Sequence, residues 1–180
     1  MNLNEDIQEV LFTAETIAAA NRRLGRQIAQ DYAGKEPLFV CILKGAIVFL
    51  TDLMREIPEA IDIDFMDVSS YGGSTKSSGE VRILKDLDLS VKDRDVLFVE
   101  DVVDTGNTLY ELMKLFATRQ ARSMKIVSLI DKPVHRHQAV KADYIGLSCP
   151  DEFIVGYGMD YQDKYRNLPY IGILKPEVYM

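Results

Sequence analysis

The sequence predicts a three-layer α/β fold with a mainly parallel central sheet. Apolar runs alternate along the chain with segments whose apolar residues recur at helical spacing. The runs at 38–43 and 96–99 are apolar throughout, which is typical of parallel strands that helices cover on both faces. Ligands of such folds bind beyond the carboxyl ends of the strands. We therefore expect the functional residues directly after these runs.

The N-terminal third supplies the first helices and strands. A helix is expected over 14–32, with Thr13 as its N-cap residue and Gly34 just past its end. The apolar face of this helix carries Ile17, Leu24, Ile28 and Tyr32. The sequence further predicts a strand at 38–43, a helix at 46–54 that ends before Pro58, and a strand at 61–65, where apolar and charged residues alternate.

Residues 69–80 interrupt this alternation, because they are small, polar and rich in glycine. Such a composition predicts a flexible loop and not a strand. Extended structure is expected to resume at 81–84, and a charged connection follows at 88–94. The later elements are a strand over 96–99, a helix carrying Leu109, Leu112, Met113 and Phe116, a strand at 125–130 and an extended stretch at 144–147.

Composition narrows the class of protein. A chain of 180 residues that is 47% hydrophobic suits a single compact domain. Its net charge of −7 argues against a nucleic-acid-binding protein, which would carry a basic surface. The acidic N-terminus has no signal-peptide pattern, and no apolar run reaches the ~18 residues of a membrane span. Cys41 and Cys149 are expected to be buried free thiols of a cytoplasmic protein.

The run 96–109 carries most of the functional signal. An apolar strand leads into two adjacent carboxylates, Glu100 and Asp101, and then into the polar segment 104–108 in front of a helix. The first amides of a helix lack internal partners, and the helix dipole favours negative charge there. Thr105 and Thr108 add hydroxyl donors, and Gly106 allows close approach of the backbone. This pattern predicts a phosphate site.

Carboxylates beside a phosphate would repel it unless they face a sugar diol or a bound Mg²⁺, whose preferred ligands are oxygens. An acidic residue at a helix start is often only a cap, but the whole pattern Glu-Asp-x-x-Asp-Thr-Gly-x-Thr is more specific than that. A P-loop is disfavoured because Asn107 follows Gly106 where a lysine would be needed. An aspartyl-phosphate enzyme with Asp101 or Asp104 as its nucleophile stays open.

This run resembles the phosphoribosyl diphosphate (PRPP) binding motif of the type I phosphoribosyltransferases, and further segments resemble the hypoxanthine/guanine branch of that family. The segments are Leu43-Lys44-Gly45, Ser70-Tyr71, the motif at 99–108, Asp131-Lys132-Pro133 and 153–161. The resemblance implies Mg²⁺-dependent transfer of a 5-phosphoribosyl group from PRPP to a 6-oxopurine. It also implies one domain over 1–180, with a core at about 10–150 and a hood from about 151–180 that includes N-terminal residues, in a homodimer or homotetramer.

The resemblance also assigns the site residues. PRPP is expected to contact Glu100, Asp101, Asp104, Thr105, Gly106, Asn107 and Thr108, with Asp104 as the catalytic general base. Pyrophosphate is expected to contact Lys44, Gly45, Arg166, Ser70 and Tyr71, with loop 69–80 as a lid. The purine is expected to contact Lys132, Phe153, Ile154 and Asp160, and Mg²⁺ to contact Glu100, Asp101 and Asp160. A non-catalytic nucleotide-sensing regulator that keeps the PRPP pocket is a second alternative.

Overall fold

The computed structural model describes residues 2–70 and 81–180. Its strands are β1 (Ile7–Phe12), β2 (Leu38–Leu43), β3 (Asp62–Ser70), β4 (Val81–Lys85), β5 (Asp95–Val103), β6 (Ser123–Asp131), β7 (Tyr144–Ser148), β8 (Ile154–Val155) and β9 (Ile171–Leu174). Its helices are α1 (Ala14–Asp31), α2 (Ile47–Arg55), α3 (Asn107–Thr118) and the short α4 (Pro176–Tyr179), with 3₁₀ turns at Leu3–Asp6 and Pro133–His135. In these ranges, no helix is long and apolar enough to cross a membrane.

The central sheet has the strand order β4-β3-β2-β5-β6-β7. The five neighbouring strands β3, β2, β5, β6 and β7 pair in parallel, and β4 pairs antiparallel with β3 at the edge. Helices α1 and α2 cover one face, where Leu97 and Val99 of β5 point, and α3 covers the other, where Phe98 packs edge-on against Phe116 at 4.8 Å. The predicted three-layer fold class is confirmed.

A second, three-stranded antiparallel sheet has the order β1-β9-β8. It joins residues near both ends of the chain, since Ile7 pairs with Leu174 and Phe12 with Ile171. A small cluster of its own includes Val155, Tyr165, Leu168 and Leu174. Ile154, the first residue of β8, lines one cleft together with Asp104 and Lys132, which follow β5 and β6, so this sheet borders that edge of the central sheet.

Two predicted boundaries were wrong. Strand β5 continues to Val103, so Glu100 and Asp101 lie within the strand and not after its end, because the backbone ladder to β6 continues through Val102↔Ile130 whatever the side chains are. Likewise Ser69 and Ser70 belong to β3, where they pair with β4. The rest of the expected loop, residues 71–80, lies outside the described residues. Cys41 and Cys149 are free and buried, as predicted.

Candidate active site

Three loops meet at the carboxyl edge of the central sheet. They follow β2, β5 and β6, which are neighbours in the sheet, so their first residues come side by side. Lys44 begins the first loop, Asp104 the second and Lys132 the third. The parallel register therefore brings Lys44 close to Asp104, about 60 positions further along the sequence, and Asp104 close to Lys132, about 30 positions further.

The loop after β5 forms a concave surface in front of α3. A cleft of about 140 Å³, called the loop cleft below, is lined by Glu100, Val102, Val103, Asp104, Thr105, Gly106, Asn107, Thr108 and Leu109. Gly106 caps α3 with a left-handed backbone, φ 80°, which favours glycine. Gly106 has no side chain to cap this helix, and only the Asn107 amide has a side-chain partner there, Thr105 Oγ1 at the long distance of 3.4 Å. The start of the helix therefore suits an anion.

The adjacent acids Glu100 and Asp101 point to opposite faces of β5. Glu100 is buried and lines the loop cleft. Burial, and secondarily the charge of Asp101, raises the pKa of Glu100 well above its ordinary value. Burial also raises the pKa of Asp101, which the Val102 amide, 2.8 Å from Oδ1, partly opposes. A ligand that brings positive charge or hydrogen-bond donors would stabilise the charged form of both carboxylates.

A second cleft of about 320 Å³ lies beside the first and is called the lysine cleft below. Its lining is Asp101, Val102, Asp104, Lys132, Glu152, Phe153, Ile154, Met159 and Asp160. The side chain of Lys132 is only 12% exposed, and its Nζ donates to the Glu152 carbonyl at 3.0 Å, with Asp151 Oδ1 at 3.7 Å. The ammonium has three donors, so it retains capacity for an acceptor in the cleft.

Asp104 borders both clefts. Within residues 2–70 and 81–180, its Oδ1 is buried and has no hydrogen-bond partner. An unpartnered buried carboxylate oxygen is costly unless a ligand supplies a donor. This position, between an anion loop and a cleft with a lysine donor, suits a group that exchanges a proton with a bound substrate.

The loop after β2 brings the third group of residues to the same edge. The Leu43–Lys44 peptide is cis. On one side, Gly45 packs against the carboxylate of Asp101. On the other side, the carbonyl oxygen of Gly45 packs against Gly158. Arg166 donates to the Gly158 carbonyl at 2.8 Å and pairs with Asp160 at 2.7 Å.

The side chain of Lys44 pairs with a further acid near Arg166, Asp163, with Nζ 3.5 Å from Oδ1. Asp163 in turn lies 3.1 Å from Arg166. Arg166 is thus linked directly to Asp160, which lines the lysine cleft, and Lys44 is linked to it through Asp163. A more strongly charged anion could replace these carboxylates as the partner of either cation.

Every predicted site residue whose side chain is described lies at this edge of the molecule. Ser70 ends β3, which continues three residues past the pairing of Leu43 with Asp67. Tyr71 and the expected lid lie outside the described residues. The structure thus brings together the residues expected to bind the phosphate, the purine and the pyrophosphate.

Comparison with known proteins identifies the family. Residues 8–162 match the family model described as a phosphoribosyl transferase domain. The chain belongs to the phosphoribosyltransferase family. The hypoxanthine-guanine phosphoribosyltransferase of Streptococcus thermophilus (strain CNRZ 1066) is 53% identical to this phosphoribosyltransferase over 177 residues, 98% of each chain. The protein of that name from Bacillus subtilis (strain 168) is 51% identical over 177 residues, again 98% of each chain.

A solved structure agrees with the sequence relatives. The crystal structure of a hypoxanthine phosphoribosyltransferase from Staphylococcus aureus matches this phosphoribosyltransferase with a TM-score of 0.96 at 50% identity. The match covers 100% of this chain and 99% of that one. The resemblance to the hypoxanthine/guanine branch is confirmed.

The donor set of this phosphoribosyltransferase fits Mg²⁺ held jointly with a substrate. Among the described residues, no group of three or more His, Cys, Asp or Glu side chains forms a metal cage. Mg²⁺ commonly binds through one or two carboxylates together with water and substrate oxygens. Asp101, whose carboxylate is buried at the cleft, is of the type that could hold such an ion. Both oxygens of Asp160 already have partners, the Arg166 guanidinium and the Asp163 amide.

Sequence reasoning missed Arg136 of this phosphoribosyltransferase. Its guanidinium donates to the carbonyl oxygens of Val103 at 2.8 Å and Asp104 at 2.9 Å, directly behind the loop cleft. An isolated arginine in a polar stretch gives no periodic or motif signal. The 3₁₀ turn at Pro133–His135 folds the chain back after β6 and brings this side chain under residues 104–108, which are called the phosphate loop below.

Proposed function

We propose that this phosphoribosyltransferase acts in purine salvage, transferring the 5-phosphoribosyl group of PRPP to hypoxanthine or guanine and releasing pyrophosphate. One observation carries the proposal most directly. Asp104, with an unpartnered buried oxygen, borders both the loop cleft and the lysine cleft. A reaction that joins a sugar phosphate to a nitrogen base is accelerated by a residue between the two binding sites that can accept the proton of the base.

PRPP would bind by its 5′-phosphate in the loop cleft. The amides at the start of α3, together with the hydroxyls of Thr105 and Thr108, supply donors to the phosphate oxygens, and Asn107 lies among them. The ribose hydroxyls would then lie over β5, where Glu100 and Asp101 accept hydrogen bonds. Those bonds would offset the electrostatic cost of burying two carboxylates.

The purine would occupy the lysine cleft. Lys132 donates to the exocyclic 6-oxygen, the ring of Phe153 contacts the face of the base, and the backbones of Ile154 and Asp160 meet its Watson–Crick edge. An ammonium only donates hydrogen bonds, so a 6-amino group, which also donates, would leave both groups without an acceptor. A buried mismatch costs about 1–3 kcal/mol, so adenine should be a poor substrate.

Pyrophosphate would leave on the side of Lys44, Gly45 and Arg166. Breaking the bond at C1 of the ribose builds negative charge on the leaving group and positive charge on the sugar ring. Backbone amides at Lys44 and Gly45 and the planar guanidinium of Arg166 would stabilise the former. Ser70, at the end of β3, and Tyr71 are proposed to cover the pyrophosphate, with residues 71–80 as the closing lid.

Asp104 is the proposed general base, accepting a proton from the purine imidazole ring in the forward direction and returning it in reverse. Mg²⁺, held by Glu100 and Asp101, with a second Mg²⁺ to which Asp160 contributes, would neutralise charge on PRPP and on pyrophosphate. The protein's own contribution is to fix the two substrates in line and to exclude water from the reacting carbon.

We further propose that the whole chain, 1–180, forms one catalytic domain with a core at about 10–150. The hood, from about 151 to 180, would be completed by N-terminal residues through β1. We propose a homodimer or homotetramer in the cytoplasm, with small-molecule substrates and neither nucleic acid nor membrane as partners. The net charge of −7 supports the absence of a nucleic-acid partner.

The test is nucleotide formation from PRPP and Mg²⁺ with hypoxanthine, guanine, xanthine or adenine, followed by absorbance. We expect turnover with 6-oxopurines, little with adenine, and none after chelation with EDTA. Lys132→Met should lower kcat/KM for hypoxanthine about 10–100-fold, the cost of one charged hydrogen bond, whereas the exposed Lys114→Met serves as the control.

Two other results would favour the alternatives. Covalent phosphate on Asp101 or Asp104, detected by mass spectrometry, would indicate an aspartyl-phosphate enzyme. PRPP binding without turnover of any base would indicate a nucleotide-sensing regulator. Either result would refute the transferase proposal.

A further inference from the structure

We propose that Arg136 is a positioning residue that turns the backbone amides of the phosphate loop toward the 5′-phosphate. It lies behind the loop and does not line the loop cleft. The inference rests on the proposed phosphate-binding role of residues 104–108, and it assigns to Arg136 no contact with the substrate.

The first step is the set of partners of the guanidinium. Its side chain is 14% exposed. Nη2 donates to the Val103 carbonyl at 2.8 Å, Nε to the Asp104 carbonyl at 2.9 Å and Nη1 to the Val140 carbonyl at 3.2 Å. A planar fork with donors in fixed directions holds such a set in one geometry, which an ammonium could not do.

The second step follows from the planarity of the peptide group. In a trans peptide the C=O and the N–H point in opposite directions. Arg136 holds the carbonyls of Val103 and Asp104 on the rear side, so the amides of Asp104 and Thr105 point toward the front. The next carbonyl, that of Thr105, is held on the same rear side by the amides of His137 at 3.0 Å and Gln138 at 3.3 Å.

Three consecutive peptides are thus oriented by one short segment after β6. Their N–H groups belong to Asp104, Thr105 and Gly106, which line the loop cleft. Successive amides that converge on one concavity form an anion-binding nest. Inside the loop, the Asn107 amide donates to Thr105 Oγ1 at 3.4 Å, and the Val103 carbonyl also accepts from the Lys132 amide at 3.0 Å. The support that Arg136 gives is therefore most direct at the Asp104 carbonyl.

The third step concerns charge. Arg136 is paired with Asp131, whose side chain is 15% exposed. The pair is formally neutral, so the positive charge of Arg136 contributes little long-range attraction for phosphate. Its influence is therefore geometric.

The test compares Arg136→Met and Arg136→Lys with Arg122→Met. Arg122 is a matched control, because it also pairs with an aspartate of a strand end, Asp95, but at the opposite end of β5. The probe is ribose 5-phosphate, measured as an inhibitor competitive with PRPP and by calorimetry without catalysis. KM for hypoxanthine, kcat and thermal unfolding are measured alongside.

For Arg136→Met we expect a roughly 10–100-fold weaker affinity for ribose 5-phosphate and a similar rise in KM for PRPP, as for a binding group misplaced by about 1 Å. KM for hypoxanthine should change less. Arg136→Lys keeps the charge and the stem but not the fork, so it should still lose most of the affinity. Arg122→Met should bind ribose 5-phosphate like the parent protein.

Three results would overturn the inference. One is a folded Arg136→Met or Arg136→Lys protein with unchanged affinity for ribose 5-phosphate, even if its unfolding temperature falls. Another is full rescue by lysine, which would mean that charge and not geometry matters. The third is absence of ribose 5-phosphate binding by the parent protein. If the parent protein binds the probe but forms no nucleotide, the proposed function fails while the role of Arg136 is still measured.

Discussion

Gly45 lies so close to the carboxylate of Asp101 that the backbone has no room for a methyl group. A Cβ built on Gly45 would lie 1.8 Å from Oδ2 and 2.6 Å from Cγ of Asp101. Real Cβ contacts essentially never fall below 3.0 Å, so the two groups would have to separate by at least 1.2 Å, the difference between 3.0 and 1.8 Å. Gly45 is not among the glycines with a left-handed backbone, so alanine itself would introduce no conformational strain there.

Gly45→Ala should therefore act through displacement of Asp101 or of the Lys44–Gly45 amides. A misplacement of about 1 Å at a reacting centre costs on the order of 100-fold in rate. We expect kcat/KM for PRPP to fall by about 10–100-fold, while far-UV circular dichroism stays like that of the parent protein. The assay is steady-state nucleotide formation, supported by PRPP binding measured by calorimetry in the presence of Mg²⁺.

A double-mutant cycle separates this clash from a general disturbance of the loop. Asp101→Ala removes the atoms that the new methyl group would meet, at its own cost in binding. In that background, adding Gly45→Ala should change PRPP affinity by no more than about twofold. The reasoning is refuted if Gly45→Ala alone keeps nearly full PRPP affinity, or if its cost is the same with and without the Asp101 side chain.

Two further substitutions test the carboxylates and the aromatic cluster. Because burial raises the pKa of Glu100, the folded protein binds that proton more tightly than the unfolded chain, and stability falls as pH rises from about 4.5 through the raised pKa. Without ligands, the free energy of unfolding of Glu100→Gln should therefore exceed that of the parent protein by about 0.5–2 kcal/mol near neutral pH and should equal it in acid. Thermal unfolding measured across pH will check this, and an equal increase at all pH values would contradict it. Tyr179 stacks on Phe153 with centroids 4.6 Å apart at 18°, an arrangement worth about 0.5–1.5 kcal/mol. Tyr179→Ala should raise KM for hypoxanthine up to about tenfold without changing KM for PRPP, whereas Tyr179→Phe should change neither; unchanged KM in both variants would exclude a supporting role.

Local patterns were sufficient to predict the helices and strands of the central sheet and to find the acidic motif, but not β1, β8 and β9 of the second sheet. The helix expected at 14–32 is found at Ala14–Asp31, and the strand expected at 38–43 is found with the same bounds. Periodicity decides the helix because it reports which side of the backbone must be buried, whereas the unbroken apolar run indicates a strand that is buried on both faces. The boundary of β5 was misjudged because carboxylates look like the end of a buried strand, whereas the backbone ladder to β6 continues beneath them.

The sequence by itself determined the fold class and predicted a phosphate site at 104–108, since both predictions rest on local patterns whose physical causes are known. The tertiary structure alone decided that Gly45 touches Asp101, that Tyr179 backs Phe153 and that Arg136 supports the loop from behind. These contacts join residues from about 26 to 56 positions apart, counting from the numbers in the sequence. Residues so far apart meet because of strand order and chain reversal, which are set by the packing of the whole core and leave no mark on the local pattern.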